Sequence, residues 1–520
     1  MSDVSRVLTS ELQEWACTLA RRISRKVPPV KARQARRLLV VHLDGVPKDL
    51  LDDAIRTQRM PFFSRLVRSG AYHFEEAFWG SPASTPFFQA GLLYGLEHPN
   101  LPAYSWFDRE LGRKVQMNTP RDALHIEQRL GQREGTSLLS EGGHTYFSLF
   151  QAGAHNRLCM STLASLKVMA RSLSAEMEGL LVARTVSPWK YLRSFGSDSW
   201  RAVQEIWRWA HALGDWRHER DFLVSRVMLQ RLGWSFVHTK ALVDMVRGVP
   251  AIYLVFGNYD EVSHRRGPRS EQALAELYRV DAYLAELYAM SRCVEHPYDI
   301  VFVTDHGHVG SLPFEQRQGQ HLEGSLLRGP PVPLPEDIQR GLLDGRPVGA
   351  SRAPRGTDSP VVIESGNFAH VYLTREHTPL EASELLAHHG EVVARAARHP
   401  DIGLVALRRG DSAVALVKGG VYGPDEIASA PLAEEFSKRA VADFLRELPH
   451  LRTAGDLVLF GDAVQPGATV GFAWEFGSHG GLTKTETRSM VAWPSDAPVD
   501  LSGLSHCVRL HQRLSEAYRA

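Results

Sequence analysis

Three short apolar runs in this 520-residue chain each end at or just before an aspartate. They are LLVVHLD, which ends at Asp44, AIYLVFGNYD, which ends at Asp260, and DIVFVTD, which ends at Asp305. Uninterrupted apolar runs of this length are typical of parallel strands that helices cover on both faces. In such sheets the functional side chains gather beyond the carboxyl ends of the strands. The sequence therefore predicts an α/β fold with a mostly parallel central sheet, and one site that contains all three aspartates.

The composition narrows the class of protein. Hydrophobic residues make up 43% of the chain and charged residues 23%, which excludes a mainly disordered protein. The 60 Lys and Arg residues are balanced by 59 Asp and Glu, so no global basic field is present. Specific nucleic-acid binding is therefore not expected.

The N-terminal sequence MSDVSRVLTSELQEW has acidic residues where a signal peptide would carry positive charge and an apolar core. The longest uncharged stretch, residues 77–96, is interrupted by prolines and polar residues, which disfavours a membrane-spanning helix. Cys17, Cys159, Cys293 and Cys507 lie far apart and show no metal-binding spacing, so no disulfide framework is predicted. These features predict a cytoplasmic protein without a signal peptide or transmembrane helix.

Changes in composition along the chain predict its domain organisation. We expect a basic N-terminal arm over 1–37, a catalytic core over 38–159, 249–328 and 456–520, a helical insertion over 160–248, and a loop with a smaller α+β cap portion over 329–455. Residues 21–37 contain eight Arg or Lys and no acid. Two interpretations of this segment stay open, a solvated tail and attachment to an anionic membrane surface.

The insertion is rich in tryptophan. It contains six of the 11 in the chain: Trp189, Trp200, Trp207, Trp209, Trp216 and Trp234. These side chains either pack into a core of the insertion's own, or form a substrate lid or a membrane-facing surface, since Trp and Arg together suit a water–lipid interface.

Histidines and aspartates recur in three short motifs. Asp260 and His264 lie in DEVSHRRGP, Asp305 and His306 lie in TDHGH, and His479 lies in GSHGG. Carboxylates and neutral imidazoles together suit Zn²⁺ or a similar divalent ion. Each motif alone is equally compatible with a hydrogen-bonded loop histidine, because the chain contains 23 His.

The segment STPFFQAGLLYG predicts a helix with Thr85 as its N-cap, Pro86 as its first helical residue and Gly95 as its terminator. A hydroxyl at a helix N-terminus lies where the amides and the dipole favour an anion. Such a position would also stabilise an attacking alkoxide and a phosphate, so the roles of cap and nucleophile are compatible.

Taken in order, these motifs resemble those of the alkaline phosphatase superfamily, and most closely its type I phosphodiesterase/nucleotide pyrophosphatase branch. Thr85 and Gly95 keep the interval between the family's nucleophile and the glycine that ends its helix. DEVSHRRGP keeps the second motif except that Ser263 replaces a glycine, and TDHGH and GSHGG supply the rest. Segments such as NYDEVSHRRGP are similar to those of a group of bacterial members. The resemblance covers about 38–155, 249–325 and 470–490, and it implies an alkaline-phosphatase-like core.

The resemblance also implies a ligand set and a reaction. One divalent ion would be bound by Asp260, His264 and His479, and a second would be surrounded by Asp44, Thr85, Asp305 and His306. Zinc suits these ligands best, and manganese or iron could occupy the same positions. Thr85 would attack phosphorus to form a covalent phospho-enzyme, and the substrate would be a phosphodiester or a pyrophosphate.

Two departures from the family pattern leave alternatives open. The family more often has proline two residues after its nucleophile, and by that criterion Ser84 would be the nucleophile instead of Thr85. The asparagine that holds a phosphoryl oxygen in relatives has no clear match, and only Asn100 and the stretch Tyr104–Asp108 are nearby candidates.

Three functions follow from this sequence. The first is a two-metal phosphoesterase acting on a small molecule, a nucleotide or a lipid head group. The second is a phosphoryl or head-group transferase or phosphomutase of the same superfamily. The third is a metal-binding scaffold without turnover. Peripheral membrane contact through residues 21–37 or the insertion is a further expectation.

Overall fold

The computed structural model describes residues 7–31, 36–132, 137–164, 200, 202–212, 216–224, 226, 234–344, 359–373 and 378–519. Predictions for 165–199 and for 345–358, including the one for Trp189, lie outside the described residues, and so does the side chain of Trp234.

The strands come first, in chain order. They are β1 (Arg37–Leu43), β2 (Tyr72–Ala77), β3 (Ser105–Asp108), β4 (Arg113–Gln116), β5 (His144–Tyr146), β6 (Asn156–Leu158), β7 (Ala251–Phe256), β8 (Tyr298–Val303), β9 (Val309–Pro313), β10 (Val361–Ser365), β11 (Phe368–Tyr372), β12 (Ile402–Arg409), β13 (Ser412–Val417), β14 (Gly420–Tyr422), β15 (Leu457–Gly461), β16 (Ala463–Gln465), β17 (Ala468–Gly471), β18 (Gly477–Ser478) and β19 (Ser489–Pro494).

The helices with defined bounds follow the same order. They are α1 (Ser10–Ser24), α2 (Lys48–Arg56), α3 (Pro61–Arg68), α4 (Thr85–Tyr94), α5 (Pro120–Gly131), α6 (Trp216–Val224), α7 (Trp234–Arg247), α8 (Asn258–Arg266), α9 (Glu271–Ser291), α10 (Phe314–Gln318), α11 (Leu322–Leu327), α12 (Glu336–Leu343), α13 (Ala382–Arg398), α14 (Lys438–Glu447), α15 (Lys484–Thr487) and α16 (Cys507–Tyr518). Short 3₁₀ turns occupy Met160–Ala164, Ile427–Ser429 and Leu448–His450.

The central sheet has seven strands in the order β2-β19-β8-β1-β7-β5-β6. β1 pairs in parallel with both β7 and β8, and β5 pairs in parallel with β6 and β7, whereas β19 is antiparallel to both of its neighbours. In β1, Leu39 and Val41 face one apolar core and Leu38 and Val40 face the other. The predicted α/β class, with a mostly parallel sheet buried on both faces, is confirmed.

A second sheet lies in the C-terminal half. Six antiparallel strands in the order β10-β11-β15-β12-β13-β14 form it, with α13 and α14 packed against its strands. Its strands β10 to β14 lie within the range 329–455 in which the sequence predicted a smaller α+β portion, and β15 lies just beyond it. The exact domain boundaries stay a prediction.

A small third sheet contains strands that follow strands of each of the two larger sheets in sequence. Its order is β16-β17-β9-β18, so β9, which follows the TDHGH motif, is paired with β18, which precedes His479. Ser478 lies opposite Val309 and Gly477 opposite Gly310. This pairing places two motifs that are distant in sequence side by side.

The insertion contains helical residues at 202–212 and 216–224. Trp200, Trp207 and Trp216 are 63%, 58% and 51% exposed, so these three do not form a core of the insertion's own. Trp209 is partly buried, and the Arg266 guanidinium lies 4.8 Å from its ring. Membrane contact through this surface stays a prediction.

The N-terminal region contains a helix that the sequence analysis did not anticipate. In α1, Leu19 and Ile23 are buried in the first core, while Arg21 and Arg22 are exposed. Cys17 of this helix forms a disulfide bond with Cys293, at a Cα–Cα distance of 4.9 Å. No disulfide framework was predicted, and this bond corrects that prediction for one pair, because a separation of 276 residues in sequence says nothing about distance in the fold.

Among the described residues, no helix is both long enough and apolar enough to cross a lipid bilayer.

Candidate active site

The parallel register brings the three predicted aspartates to one edge of the central sheet. Asp44 directly follows β1, Asp305 follows β8, and Asp260 lies in the first turn of α8, which begins after β7. His42 of β1 is opposite both Val255 and Val303, so the three strands end at the same level. The sequence expectation of one shared site at this edge agrees with this placement.

Within the part of the chain that the structure describes, Asp and His side chains form three overlapping groups in which the metal-binding atoms lie within 4.8 Å of one another. The groups are Asp260 with His264, His308 and His479; Asp44 with Asp260 and His306; and Asp44 with His42 and Asp305. Because Asp44 and Asp260 are shared between groups, the two ligand sets that the resemblance implied are adjacent. All six predicted Asp and His ligands lie in these groups.

Gly45 allows the backbone after Asp44 to pass close to the group that contains Asp260 and His308. Its φ is +72°, and a Cβ atom at this position would lie 2.7 Å from Asp260 Oδ1 and 2.8 Å from the His308 ring. Any side chain here would therefore collide with a ligand residue and require a strained backbone.

Three of the histidines are held through their Nδ1 atoms. The Nδ1 atom of His264 lies 3.1 Å from the Gly477 carbonyl and 3.0 Å from the Glu475 carboxylate. The Nδ1 atoms of His306 and His479 lie 3.3 Å and 3.4 Å from the carbonyls of Gly307 and Ala83. Each Nε2 atom consequently faces the carboxylates of the site, which is the orientation of a metal-binding histidine with a supporting partner behind it.

Thr85 lies where the ligand groups meet. Its Oγ1 atom is 3.3 Å from Asp44 Oδ1 and 3.2 Å from His306 Nε2. Helix α4 begins at Thr85, and its N-cap is Ser84 with φ −141° and ψ 146°, so the prediction of Thr85 as the N-cap was wrong by one residue. Ser84 Oγ is buried and has no hydrogen-bond partner among the described residues. Of these two hydroxyl groups, that of Thr85 is therefore the one in contact with the ligand groups.

Burial and neighbouring charge together determine the pKa values of the three carboxylates. Burial, reinforced by the nearby charges of Asp305 and Asp260, holds the pKa of Asp44 well above its usual value. Burial also acts to raise the pKa of Asp260, but His264, His308 and His479 outweigh it and lower that pKa. For Asp305, His306 and His42 likewise outweigh burial and hold the pKa well below its usual value.

The pKa values of the histidines differ because the surroundings of each ring differ. Burial lowers the pKa of His308 to about 4, and burial together with His306 lowers that of His479 well below its usual value. Burial also acts on His264, but the carboxylates of Glu475 and Asp260 outweigh it and raise its pKa to about 10. Asp260 and Asp305 are therefore ionised beside neutral His308 and His479. The raised pKa values of Asp44 and His264 instead favour a protonated carboxyl group and a protonated imidazole.

This donor set fits divalent cations. The carboxylate of Asp44 lies within 4.8 Å of those of both Asp260 and Asp305, and these like charges repel one another. Imidazole nitrogens face the same space, which is the chemistry that Zn²⁺ and similar ions prefer. The residues present therefore fit the two-ion site that the sequence resemblance implied.

Two histidines in these groups were missed by the sequence analysis. His308 Nε2 lies 2.7 Å from Asp260 Oδ1, and His42 Nε2 lies 3.0 Å from Asp305 Oδ1. For His308 a signal was available, because it lies two residues after His306 in TDHGH, and alternate residues of an extended segment share a face. For His42 the burial of a histidine within a strand of apolar residues was the only signal.

Replacing His308 with alanine is expected to weaken binding of a divalent ion by about 10- to 100-fold, because the histidine contacts the Asp260 carboxylate. Competition with a chromophoric chelator would measure this affinity. His321→Ala is the matched control, since that imidazole is 73% exposed and lies outside the groups. Equal metal affinities in wild type and His308→Ala would contradict the assignment.

The insertion is anchored to the helix that carries two of the ligands. Arg266 Nη2 and Arg265 Nη2 of α8 lie 2.7 Å and 2.9 Å from the Glu219 carboxylate of α6, and all three side chains are almost fully buried. Removing one partner of a buried ion pair costs about 3–5 kcal/mol because the other charge is left uncompensated. The insertion therefore contributes to the position of α8.

A cavity of about 870 Å³ opens onto the site. Thr85, Asp44, Asp260, His264 and His479 form part of its wall. Of the candidates for holding a phosphoryl oxygen, Tyr104 lines this cavity, whereas Asn100 hydrogen-bonds to Thr453 and is not among the lining residues. Asn118, which the sequence analysis missed, also lines the cavity.

The type I phosphodiesterase / nucleotide pyrophosphatase family matches residues 38–324, more than half of the chain. No curated protein matched the chain. Among solved structures, phosphonoacetate hydrolase from Sinorhizobium meliloti 1021 in complex with phosphonoformate is 16% identical, covers 93% of this chain and 96% of its own, and has a TM-score of 0.47. Murine ectonucleotide pyrophosphatase / phosphodiesterase 5 is 13% identical, covers 92% of this chain and 94% of its own, and has a TM-score of 0.44.

Together with the α/β fold, the family match defines the class as a phosphoester hydrolase of the alkaline phosphatase superfamily. The chain belongs to the type I phosphodiesterase / nucleotide pyrophosphatase family. The resemblance deduced from the five motifs is thereby confirmed.

Proposed function

We propose that this protein is a two-metal phosphodiesterase that works through a covalent phosphothreonine at Thr85. The observation that supports this proposal most directly is the position of Thr85 Oγ1, within 3.3 Å of Asp44 and 3.2 Å of His306, at the first residue of α4. A helix N-terminus favours an anion, so the same place suits a phosphoryl group.

We keep the predicted assignment of metal ligands and add His308 to it. Asp260, His264 and His479 would hold one ion, supported by His308, and Asp44, Asp305, His306 and Thr85 would hold the other. When bound, two such ions lower the pKa of a coordinated hydroxyl and neutralise charge on a phosphoryl group. We propose zinc, with manganese or iron as alternatives, because nitrogen and carboxylate ligands are mixed.

The chain's own residues then account for the reaction. The Thr85 hydroxyl donates a hydrogen bond to Asp44, which orients its oxygen toward the cavity. Thr85 Oγ forms a bond to phosphorus while the bond from phosphorus to one ester oxygen breaks, and that oxygen leaves with a proton as an alcohol. The intermediate is a phosphodiester that joins Thr85 Oγ1 to the remaining ester group of the substrate. Water then attacks its phosphorus, releases a phosphate monoester and restores the threonine hydroxyl.

The cavity supports a diester over a monoester. A volume of about 870 Å³ is in the range of pockets that enclose a whole small-molecule ligand. A phosphate monoester with one small substituent would leave most of this space filled by water, whereas a diester can place a group on each side of phosphorus.

Elemental analysis combined with hydrolysis of bis-p-nitrophenyl phosphate and p-nitrophenyl phosphate tests this function. We expect about two transition-metal ions per chain, faster cleavage of the diester, and loss of activity on chelation that zinc, manganese or iron restores. Metal-loaded protein that cleaves neither compound in water but transfers a phosphoryl group to an added alcohol would support the transferase instead. Protein that binds no metal would contradict the site.

A further inference from the structure

The cavity above Thr85 has lining residues of two chemical kinds, and they come from different parts of the fold. One set is apolar: Phe147, Leu149, Leu158, Met160, Leu163 and Phe222. The other set is polar and includes Lys114 and Gln116 of β4, Asn118, and Glu364 of β10. A substrate bound at Thr85 therefore meets two environments in one cavity.

The apolar residues belong to the edge of the central sheet and to the insertion. Leu149 follows β5, Leu158 ends β6, Met160 begins the next 3₁₀ turn, and Phe222 is supplied by α6 of the insertion. Leu149 and Phe222 are 7% and 3% exposed, while Leu163 is 37% exposed. The apolar wall thus extends from buried positions to the protein surface.

These side chains are not needed for the chemistry at Thr85. They contribute no ligand to the three groups of metal-binding atoms, and they have no polar side-chain group that could hold a phosphoryl oxygen. An apolar wall in a cavity open to water gains stability when an apolar group displaces that water. A polar group placed against the same wall would lose its hydrogen bonds to water without replacement.

We propose that this wall, defined by Leu149, Leu158, Met160, Leu163 and Phe222, is a binding subsite for an apolar ester group of the substrate. The inference rests on the proposed function and narrows its substrate class to phosphodiesters in which at least one esterified alcohol is apolar. A fatty or an aromatic alcohol has the required chemistry. Lys114, Gln116 and Asn118 then face the more polar part of the same substrate.

Alkylphosphonates test the subsite without any turnover, since their carbon–phosphorus bond replaces the ester bond that would be cleaved. We would titrate butyl-, hexyl- and octylphosphonate into the metal-loaded wild-type protein by calorimetry. The affinity is expected to rise by about two- to fourfold for each added methylene, the range for partial to full burial of a CH₂ group. The comparison compound 6-hydroxyhexylphosphonate has nearly the length of heptylphosphonate, and it should bind at least about fivefold more weakly than hexylphosphonate.

Two variants locate the effect on the proposed wall. Met160→Gln keeps the side-chain length but adds an amide, and Leu163→Gln changes a position exposed enough to spare the fold. In each variant the affinity for alkylphosphonates should rise less steeply with alkyl chain length than in wild type. The affinity for methylphosphonate should stay within about twofold of the wild-type value. Lys114→Ala is the matched control in the polar set and should leave the dependence on chain length unchanged. Thermal unfolding of each variant checks that the fold is retained.

The outcomes separate the subsite from the proposed function. An affinity that does not change with chain length in wild type, or a dependence that both glutamine variants retain in full, would overturn the subsite even if diesters are hydrolysed. Dependence on chain length in a protein that hydrolyses no diester would support the subsite and count against the proposed function. Comparing the affinities of phenylphosphonate and hexylphosphonate distinguishes an aromatic from a fatty alcohol. Tighter binding of either compound than of 6-hydroxyhexylphosphonate supports the proposal.

Discussion

Replacing Thr85 with alanine is expected to reduce diester hydrolysis by at least about 10³-fold, because it removes the protein atom that forms a bond to phosphorus in the first step of the proposed reaction. The effect should fall on kcat and not on metal content, since six Asp and His ligands remain. Initial rates on bis-p-nitrophenyl phosphate, normalised to bound metal, measure the loss.

The neighbouring residues provide controls for Thr85. Ser84→Ala should retain activity within about threefold, because Ser84 Oγ has no partner in the described site, and Thr85→Ser should retain a substantial part of the rate because it keeps a hydroxyl. Acid quenching during turnover of bis-p-nitrophenyl phosphate should yield a peptide that carries a p-nitrophenyl phosphoryl group on Thr85. A Ser84→Ala variant that is inactive beside an active Thr85→Ala variant would reverse the assignment of the nucleophile.

Replacing Asp260 with alanine is expected to remove about one metal ion per chain. The same change should reduce the rate of diester hydrolysis by at least about 10³-fold. Asp260 lies within 3.7 Å of an imidazole nitrogen of His264, His308 and His479, so its loss affects the whole group. His479→Ala should have a similar effect. Elemental analysis and hydrolysis rates would be measured on the same samples.

A carboxylate outside the site provides the comparison for Asp260. Asp425 is 92% exposed and pairs with Arg446, so Asp425→Ala should leave metal content and rate unchanged. Full metal occupancy in both Asp260→Ala and His479→Ala, with folding intact by circular dichroism, would contradict the ligand assignment.

The parts of this site that the sequence predicted share a local signal. Asp44, Asp260 and Asp305 each follow an apolar run, and a parallel sheet brings the ends of such runs together whatever lies between them. His479 has no strand of this kind before it, and only its glycine-framed motif and the family resemblance indicated its role. The structure supplies the reason for its position, which is the pairing of β18 with β9.

The features that the sequence did not predict depend on contacts between distant segments. Glu219 could not be matched with Arg265 and Arg266, because ion pairs across 46 or 47 residues leave no periodic pattern. The same holds for Cys17 and Cys293. The apolar wall of the cavity combines residues near 147–163 with Phe222, and periodicity alone would assign each of them to an ordinary core.

The antiparallel strand β19 lies between β2 and β8 in the central sheet, although it is the last strand of the chain. During synthesis β2 and β8 are therefore complete long before the strand that separates them has been translated. At about 5–20 residues per second, the ribosome needs on the order of ten seconds or more to travel from β8 to β19. During that time the edges of β2 and β8 that β19 will pair with are open. His479 is translated only near the end of the same interval. Metal uptake at the complete site consequently follows translation of all residues from Asp44 to His479, and during this interval the open strand edges are exposed to misassembly.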